Sequence, residues 1–320
     1  MFKKLFPILK KSHSFLLVAH YSPDGDAIGS TLAMGAALRK MGKKVYLYNR
    51  DPVPFNLSFL PGAKVIRRTL PKEKVDCAIM LDCAQPKRIS KEFHAAFESG
   101  KFSKVVCIDH HLLDHAVGDV DVIDPKAAAT GVIVWKLIRA LKIRPNADMA
   151  NQIFCAVVVD TGFFRYSSTT ASVLQLGAEL VETGASPWLV AQNLEESEPK
   201  QRYHLMQMAL GTLEVTHNGK IASMWVTQKM LKKTHATEEM CEEFSNIPRS
   251  IHGVEAAIFL RERDDGKIKV SLRSKNKINV AEISKKFDGG GHKHAAGCLF
   301  SEPIAVVKKK LEKEIGKRLR

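Results

Sequence analysis

Four short segments of this 320-residue chain carry side chains that bind hard cations, and each follows an apolar run. His20, Asp24 and Asp26 come after residues 15–19, and Asp82 after residues 77–81. Asp109, His110 and His111 come after residues 105–108, and Asp160 after residues 147–159. Six carboxylate or imidazole ligands suffice for two divalent ions about 3.5–4 Å apart if one or two carboxylates bridge them. Mixed His/Asp ligation without thiolate points to Mn²⁺, with Mg²⁺, Co²⁺ and Zn²⁺ left open. Two such ions acidify a bridging water and neutralise a phosphoryl oxygen, which is the chemistry of phosphate-ester hydrolysis. A single Asp at a strand end also serves as a helix cap, and a lone His-His pair as a turn. Four such segments in one stretch are hard to explain as caps.

The elements that must position these groups follow from periodicity. Residues 15–19, 45–48, 77–81 and 105–108 read as short buried strands, and residues 27–41, 87–99, 131–141 and 147–159 as helices. Strands alternating with helices predict an α/β, doubly wound, mainly parallel sheet. Ligands on such sheets gather outside the carboxyl ends of the strands, where all four segments fall. Beyond a helix at 171–183 the pattern changes. Residues 187–210 read as a charged helical connector. Hairpins follow at 212–216 with 221–226, around Asn218-Gly219, and at 254–261 with 267–272, around Asp264-Asp265-Gly266. The expected organisation is a metal-binding domain over 1–187, the connector over 188–210 and a smaller α+β domain over 211–320.

Composition bounds the partners. Forty-nine Lys and Arg against 34 Asp and Glu give a formal charge of +15, which favours anionic partners through steering. The basic run from Lys308 alternates with Leu311, Ile315 and Leu319, as an amphipathic terminal helix does. No window approaches the roughly 20 apolar residues of a membrane span, and Lys10-Lys11 interrupts any signal-like start. The six scattered cysteines form no CxxC pair and read as buried hydrophobes in a reducing compartment. A cytoplasmic protein without a membrane partner is expected. A homodimer is compatible with the sequence, which does not fix the oligomeric state.

A second constellation lies near the C-terminus. Gly289, Gly290 and Gly291 allow backbone N–H groups to converge as an anion nest, to which His292 adds a donor; a tight turn is the other reading. Ser271 and Arg273 close a strand nearby in sequence, and Arg273 suits bidentate phosphate recognition. Phe163, Phe164, Arg165 and Tyr166 follow the Asp160 segment. They offer a stacking ring and a cation beside a substrate, although aromatics after a helix also belong to a core.

Together, His20-Tyr-Ser-Pro-Asp24-Gly-Asp26-Ala-Ile-Gly-Ser30, the lone Asp82, Asp109-His110-His111 and Asp160-Thr-Gly resemble the four motifs of the DHH phosphoesterase superfamily. The stretch Gly289-Gly290-Gly291-His292-Lys-His-Ala295-Ala296-Gly297 is similar to the signature of the associated DHHA1 domain. Length and order are most similar to the branch of oligoribonucleases that also remove the 3′-phosphate of 3′,5′-bisphosphoadenosine (pAp). The resemblance implies one ion on His20, Asp24 and Asp82. A second would sit on Asp26, Asp82, His110 and Asp160, with Asp82 bridging. It further implies His111 on the scissile phosphate, Asp109 orienting an imidazole, and the glycine-rich domain holding the nucleotide across a cleft. Asp288 stands where the family usually has a fourth glycine.

The expected substrates are single-stranded RNAs of two to four residues and pAp. Linear or cyclic dinucleotides are the alternative. An inorganic pyrophosphatase would need no nucleoside-binding glycines, a processive exonuclease would carry further nucleic-acid modules, and a nucleotide sensor would not need the full ligand set.

Overall fold

The computed structural model describes residues 1–113 and 115–319. The chain divides into two compact units, Met1–Ser197 and Glu198–Arg320.

The first unit begins with α1 (Leu5–Lys11), β1 (Ser14–Val18), α2 (Gly25–Lys40) and β2 (Lys44–Tyr48). It continues with β3 (Cys77–Leu81), α3 (Lys91–Glu98), β4 (Lys104–Asp109) and β5 (Val120–Ile123). The helices α4 (Thr130–Ala140), α5 (Ala147–Asp160), α6 (Ala171–Glu182) and α7 (Pro187–Glu195) complete it. Its five strands are all parallel, in the order β2-β1-β3-β4-β5. The chain therefore reverses direction across the sheet between β1 and β3, which opens a crevice at their carboxyl ends. The segments after β1 and β3 flank that crevice.

Helices α2 and α5 bring two of the ligand segments together. A Cβ at Gly29 would lie 2.2 Å from the Gln152 carbonyl oxygen and 3.2 Å from Ala156 Cβ, so glycine permits a backbone approach that alanine would block. That contact sets Asp160, at the end of α5, beside Asp24 and Asp26 at the start of α2. Helix α5 is apolar on nearly every side and buried from Met149 to Val158, so Asp160 emerges from the interior rather than from a solvated face.

Two expectations are corrected in this unit. The helix expected over 87–99 is a 3-10 turn (Pro86–Arg88) followed by α3, because Ser90 Oγ accepts the Phe93 N–H at 2.9 Å and starts a new helix there. The edge strand β5 was not expected; its four residues are too short to show an alternation.

The second unit contains α8 (Lys200–Leu210), β6 (Glu214–Thr216), β7 (Ile221–Val226), α9 (Gln228–Thr234) and α10 (Asn246–Ser250). These are followed by β8 (Ala256–Glu262), β9 (Ile268–Ser274), α11 (Val280–Lys285), β10 (Gly290–His292), β11 (Ala295–Phe300) and α12 (Ile304–Gly316). The order in its mixed sheet is β10-β11-β9-β8-β7-β6, with only β7 and β8 parallel. Both expected hairpins form, and Gly219 (φ +82°) and Gly266 (φ +76°) take the left-handed turn positions. One face packs Ile258, Leu272 and Cys298 against α11 and α12; the β7–β8 half of the other packs Met224 and Phe259 against Leu205 and Phe244.

Candidate metal centre

Three groups of ligand atoms form, each lying within 4.8 Å of one another: His20, Asp24 and Asp82; Asp26, His110 and Asp160; and Asp82, Asp109, His110 and His111. The six side chains read from the sequence as ligands are thus adjacent, and Asp82 and His110 each belong to two groups.

The local chemistry explains how each is aimed. The His20 Nδ1–H donates to the Tyr21 carbonyl (2.8 Å), which turns Nε2 toward Asp82 Oδ2 (3.4 Å) and Asp24 Oδ2 (3.9 Å). His110 repeats the device. Its Nδ1–H donates to the Ala127 carbonyl (3.2 Å), and its Nε2 faces Asp160 Oδ2 (3.2 Å), Asp82 Oδ1 (3.6 Å) and Asp26 Oδ2 (3.9 Å). Fixing the tautomer through Nδ1 leaves the Nε2 lone pair available to an ion. Asp82 therefore points one oxygen at each histidine. Its backbone is left-handed (φ +53°), a conformation that costs a non-glycine residue on the order of 1 kcal/mol and turns the side chain into the crevice.

Asp24 and Asp26 both cap helices while keeping an oxygen toward the cluster. Asp24 caps α2 through Oδ1, which accepts the Asp26 and Ala27 N–H groups at 3.0 Å, while Oδ2 faces His20. Asp26 does the same for another helix. Its Oδ1 accepts from Ser30 Oγ (2.8 Å) and the Gly131 N–H (2.8 Å), and its Oδ2 accepts the Thr130 N–H (2.6 Å). Helix α4 has no capping side chain of its own at Ala129, so Asp26 supplies one from α2 and retains a lone pair on Oδ2.

Burial and mutual repulsion push three carboxyls upward. Burial raises Asp26 well above the usual carboxylate range, and the charges of Asp82 and Asp160 add to it. Burial likewise raises Asp82. Burial, with Asp24 and Asp82 close by, lifts Asp160 to about 8. Asp109 behaves oppositely: although it is buried, the His111 ring and backbone donors hold its carboxyl below the ordinary value. Those bonds run from the His111 N–H (2.9 Å) and Nδ1–H (2.8 Å) to Asp109 Oδ1. The half-exposed His111 ring has its pKa raised chiefly by Asp109, to which its Nδ1 is committed. A crowd of acids that burial and repulsion both disfavour, offered with imidazole nitrogens and no thiolate, fits hard or borderline divalent cations.

The remaining residues separate. Phe164 packs against Phe154 and the core, and the Arg165 Nε–H donates back to the Gly162 carbonyl (2.6 Å) with its guanidinium over Phe163. In the second unit, Gly290 lies opposite Gly297, which lies opposite Ser271; His292 lies opposite Ala295, which lies opposite Arg273. Side chains alternate along a strand, so Ser271, Arg273, Gly290 and His292 share one face. Gly289 precedes β10, and Gly291 belongs to the other face. The glycines thus form a short edge strand rather than a nest of converging N–H groups. Gly291 is required there, since a Cβ would lie 2.5 Å from the Ala295 carbonyl oxygen and its φ is +135°.

Sequence reasoning missed Thr130 and the role of Ser30. Thr130 Oγ1 donates to Asp82 Oδ1 (3.2 Å) while its N–H holds Asp26, so it ties two candidate ligands together. The one signal available was a helix start lacking a capping side chain.

Residues 14–159 match the DHH family N-terminal domain, and residues 218–317 the DHHA1 domain. The chain is 34% identical over 285 residues to the bifunctional oligoribonuclease and PAP phosphatase NrnA of Thermus thermophilus, covering 88% of this chain and 82% of that one. It belongs to the DHH phosphoesterase family. It is 25% identical to the cyclic-di-AMP phosphodiesterase PdeA of Listeria monocytogenes over 95% of its own length and 47% of that protein's. The structure of an exopolyphosphatase-related protein from Bacteroides fragilis superposes with a TM-score of 0.89 at 27% identity, covering 98% and 96% of the two chains. Among the described residues, no helix is long and apolar enough to cross a membrane.

Proposed function

We propose that this DHH phosphoesterase hydrolyses RNAs of two to four residues to mononucleotides and removes the 3′-phosphate of pAp. The observation that carries the reading is Asp82, whose two oxygens face two separate imidazole-carboxylate sets. His20, Asp24 and Asp82 would hold one divalent ion, and Asp26, Asp82, His110 and Asp160 the other. Mn²⁺ suits this donor set. Bound there, a metal pair acidifies water and neutralises charge on a phosphoryl oxygen.

The rest falls to the chain. Asp109 fixes the His111 ring, which presents Nε2 as a donor to the phosphate or to the leaving oxygen. Ser271, Arg273, Gly290 and His292 form the substrate-holding face, supported by their shared register; Gly289 and Gly291 shape it. Arg165, tied to its own turn, is a less direct contact. The names of the relatives from Thermus thermophilus and Listeria monocytogenes support, respectively, short RNA with pAp and cyclic dinucleotides as substrate classes.

The test is product analysis on labelled RNAs of two to twenty residues, pAp and cyclic dinucleotides, after chelation and after Mn²⁺ return. Mn²⁺-dependent release of mononucleotides, fastest on the shortest RNAs, is expected. Preferential opening of a cyclic dinucleotide would transfer the reading to that class. Undiminished activity after chelation would overturn the metal assignment.

A further inference from the structure

Three consecutive residues after β2 hold three consecutive residues after β1. Asn49, 2% exposed, donates from Nδ2 to the His20 carbonyl (2.9 Å). Asp51 Oδ2 accepts the Ser22 N–H (2.7 Å), fixing a residue whose φ is +49°. Between these rungs the Arg50 guanidinium lies over the Tyr21 ring, 4.5 Å from its centroid. The Asp51 N–H closes back on Asn49 Oδ1 (3.0 Å), and the Tyr21 N–H is held from the other side by the Arg88 carbonyl (2.7 Å).

Exposed cation–π pairs are common on protein surfaces and need no function. This one is set apart by what surrounds it. Its partners come from segments 29 residues apart, a buried asparagine pins its backbone, and Tyr21 directly follows a candidate metal ligand. Yet Tyr21 is 38% exposed. The guanidinium edge is committed, because Nε and Nη2 donate to the two oxygens of Asp51 at 3.0 and 3.1 Å. Its charge is thereby paired, so what remains to offer is flat surface rather than a cation for phosphate.

We propose that the Tyr21–Arg50 pair is a platform on which a nucleobase of the substrate stacks. The proposal rests on the phosphodiester hydrolysis inferred above and adds to it a base-contacting site in the first unit. Stacking on an aromatic ring or a guanidinium plane tolerates any base, since every base has a π-face. Recognition at this platform is therefore of an unstacked nucleotide, not of a sequence.

The experiment measures kcat and KM on a ribodinucleotide and on the same compound with one abasic residue, with bound metal determined alongside. Tyr21→Ala and Arg50→Ala should raise KM for the ribodinucleotide roughly tenfold, the range of one lost stacking contact. Tyr21→Phe should restore it, and the abasic compound should be nearly insensitive to all three changes. The salt dependence of KM should keep its slope in Arg50→Ala, because a paired guanidinium neutralises no phosphate. Equal losses on the two compounds would overturn the platform and leave the pair as a support for the His20 loop. A slope shallower by about 0.7 would overturn it in favour of a phosphate contact. Failure of the unaltered protein to cleave any ribodinucleotide would defeat the parent reading, and the platform with it.

Discussion

In the first unit, Asp26 accepts three hydrogen bonds from fully buried partners, Asp109 accepts two from the half-exposed His111, and Asp82 is only 4% exposed. In the second, Gly290, Gly291 and His292 form an exposed edge strand, and Ser271 and Arg273 are half-buried beside it. The difference lies in when order is established. The acidic centre is assembled by folding itself: two helix starts, one helix end and three strand ends must be in place before its carboxylates converge. The glycine face requires only that β10, β11 and β9 pair along one sheet edge. Removing a buried carboxylate from the first should disturb metal and rate together, whereas removing a group from the second should act mainly on substrate affinity.

The largest expected effect is at Asp82. Asp82→Ala should lower kcat/KM at least about a hundredfold, the upper end of what loss of a group one layer outside a metal site costs. It should also lower bound Mn²⁺ measured by elemental analysis, because both imidazole sets face this carboxylate. Near-normal metal content and rate in Asp82→Ala would erase the contrast between the two regions.

His111 sharpens the contrast. His111→Ala should cost roughly 10²–10⁴ in kcat with metal content retained, as expected for a proton donor. Arg273→Ala should instead raise KM roughly ten- to a hundredfold with a smaller change in kcat, having removed a contact made equally to bound and reacting substrate. Because His111 also lies in a ligand group with Asp82 and His110, metal loss in His111→Ala would reassign it as a ligand.

What was legible in the sequence follows from the same contrast. Candidate ligands ending apolar runs stand out, because a strand buried throughout 77–81, or over the last four residues of 104–109, should not stop at an acid without cause. Thr130 and Asn49 were invisible because their bonds join segments 104 and 29 residues apart, and no local spacing encodes such a contact. The strand at β10 was hidden for another reason. Glycines carry almost no strand preference, so its pairing with β11 is set by the neighbouring strand. Of the two readings open for the aromatic turn after Asp160, Phe164 takes the core one.

Proton linkage gives a smaller effect with a definite sign. The carboxyl of Asp160 sits at about 8 in the folded chain against 3.8 ordinarily, so between those values the folded state holds the extra proton. Stability from this group is therefore full at low pH and falls as pH rises toward 8. Asp26 and Asp82 act in the same direction. In chelated protein, Asp160→Asn should melt higher than the unaltered chain at pH 8, by a few degrees at roughly 2–4 °C per kcal/mol, and the gap should close near pH 4. Added Mn²⁺ should raise the unaltered chain's Tm more at pH 8 than at pH 6, since protons compete with the ion. Calorimetry showing the reverse ordering would mean that these acids are already compensated without metal.

The smallest effect is expected at Asp288, on the exposed side of the comparison. Its φ of +54° lies in the left-handed region, where glycine is favoured and aspartate is among the few other residues tolerated. Asp288→Gly relieves that strain but also loosens the unfolded chain, and the two terms oppose each other. Stability should change by less than about 0.5 kcal/mol. Because the carboxylate is exposed and immediately precedes Gly289 and Gly290, its removal should also relieve a weak repulsion of anionic substrate. KM should fall by about a factor of two at low ionic strength and return to the unaltered value near 1 M salt, where the screening length is about 3 Å. A tenfold change that persists in high salt would place Asp288 in direct contact with substrate, and the second unit would then hold a fixed, specific site like that of the first.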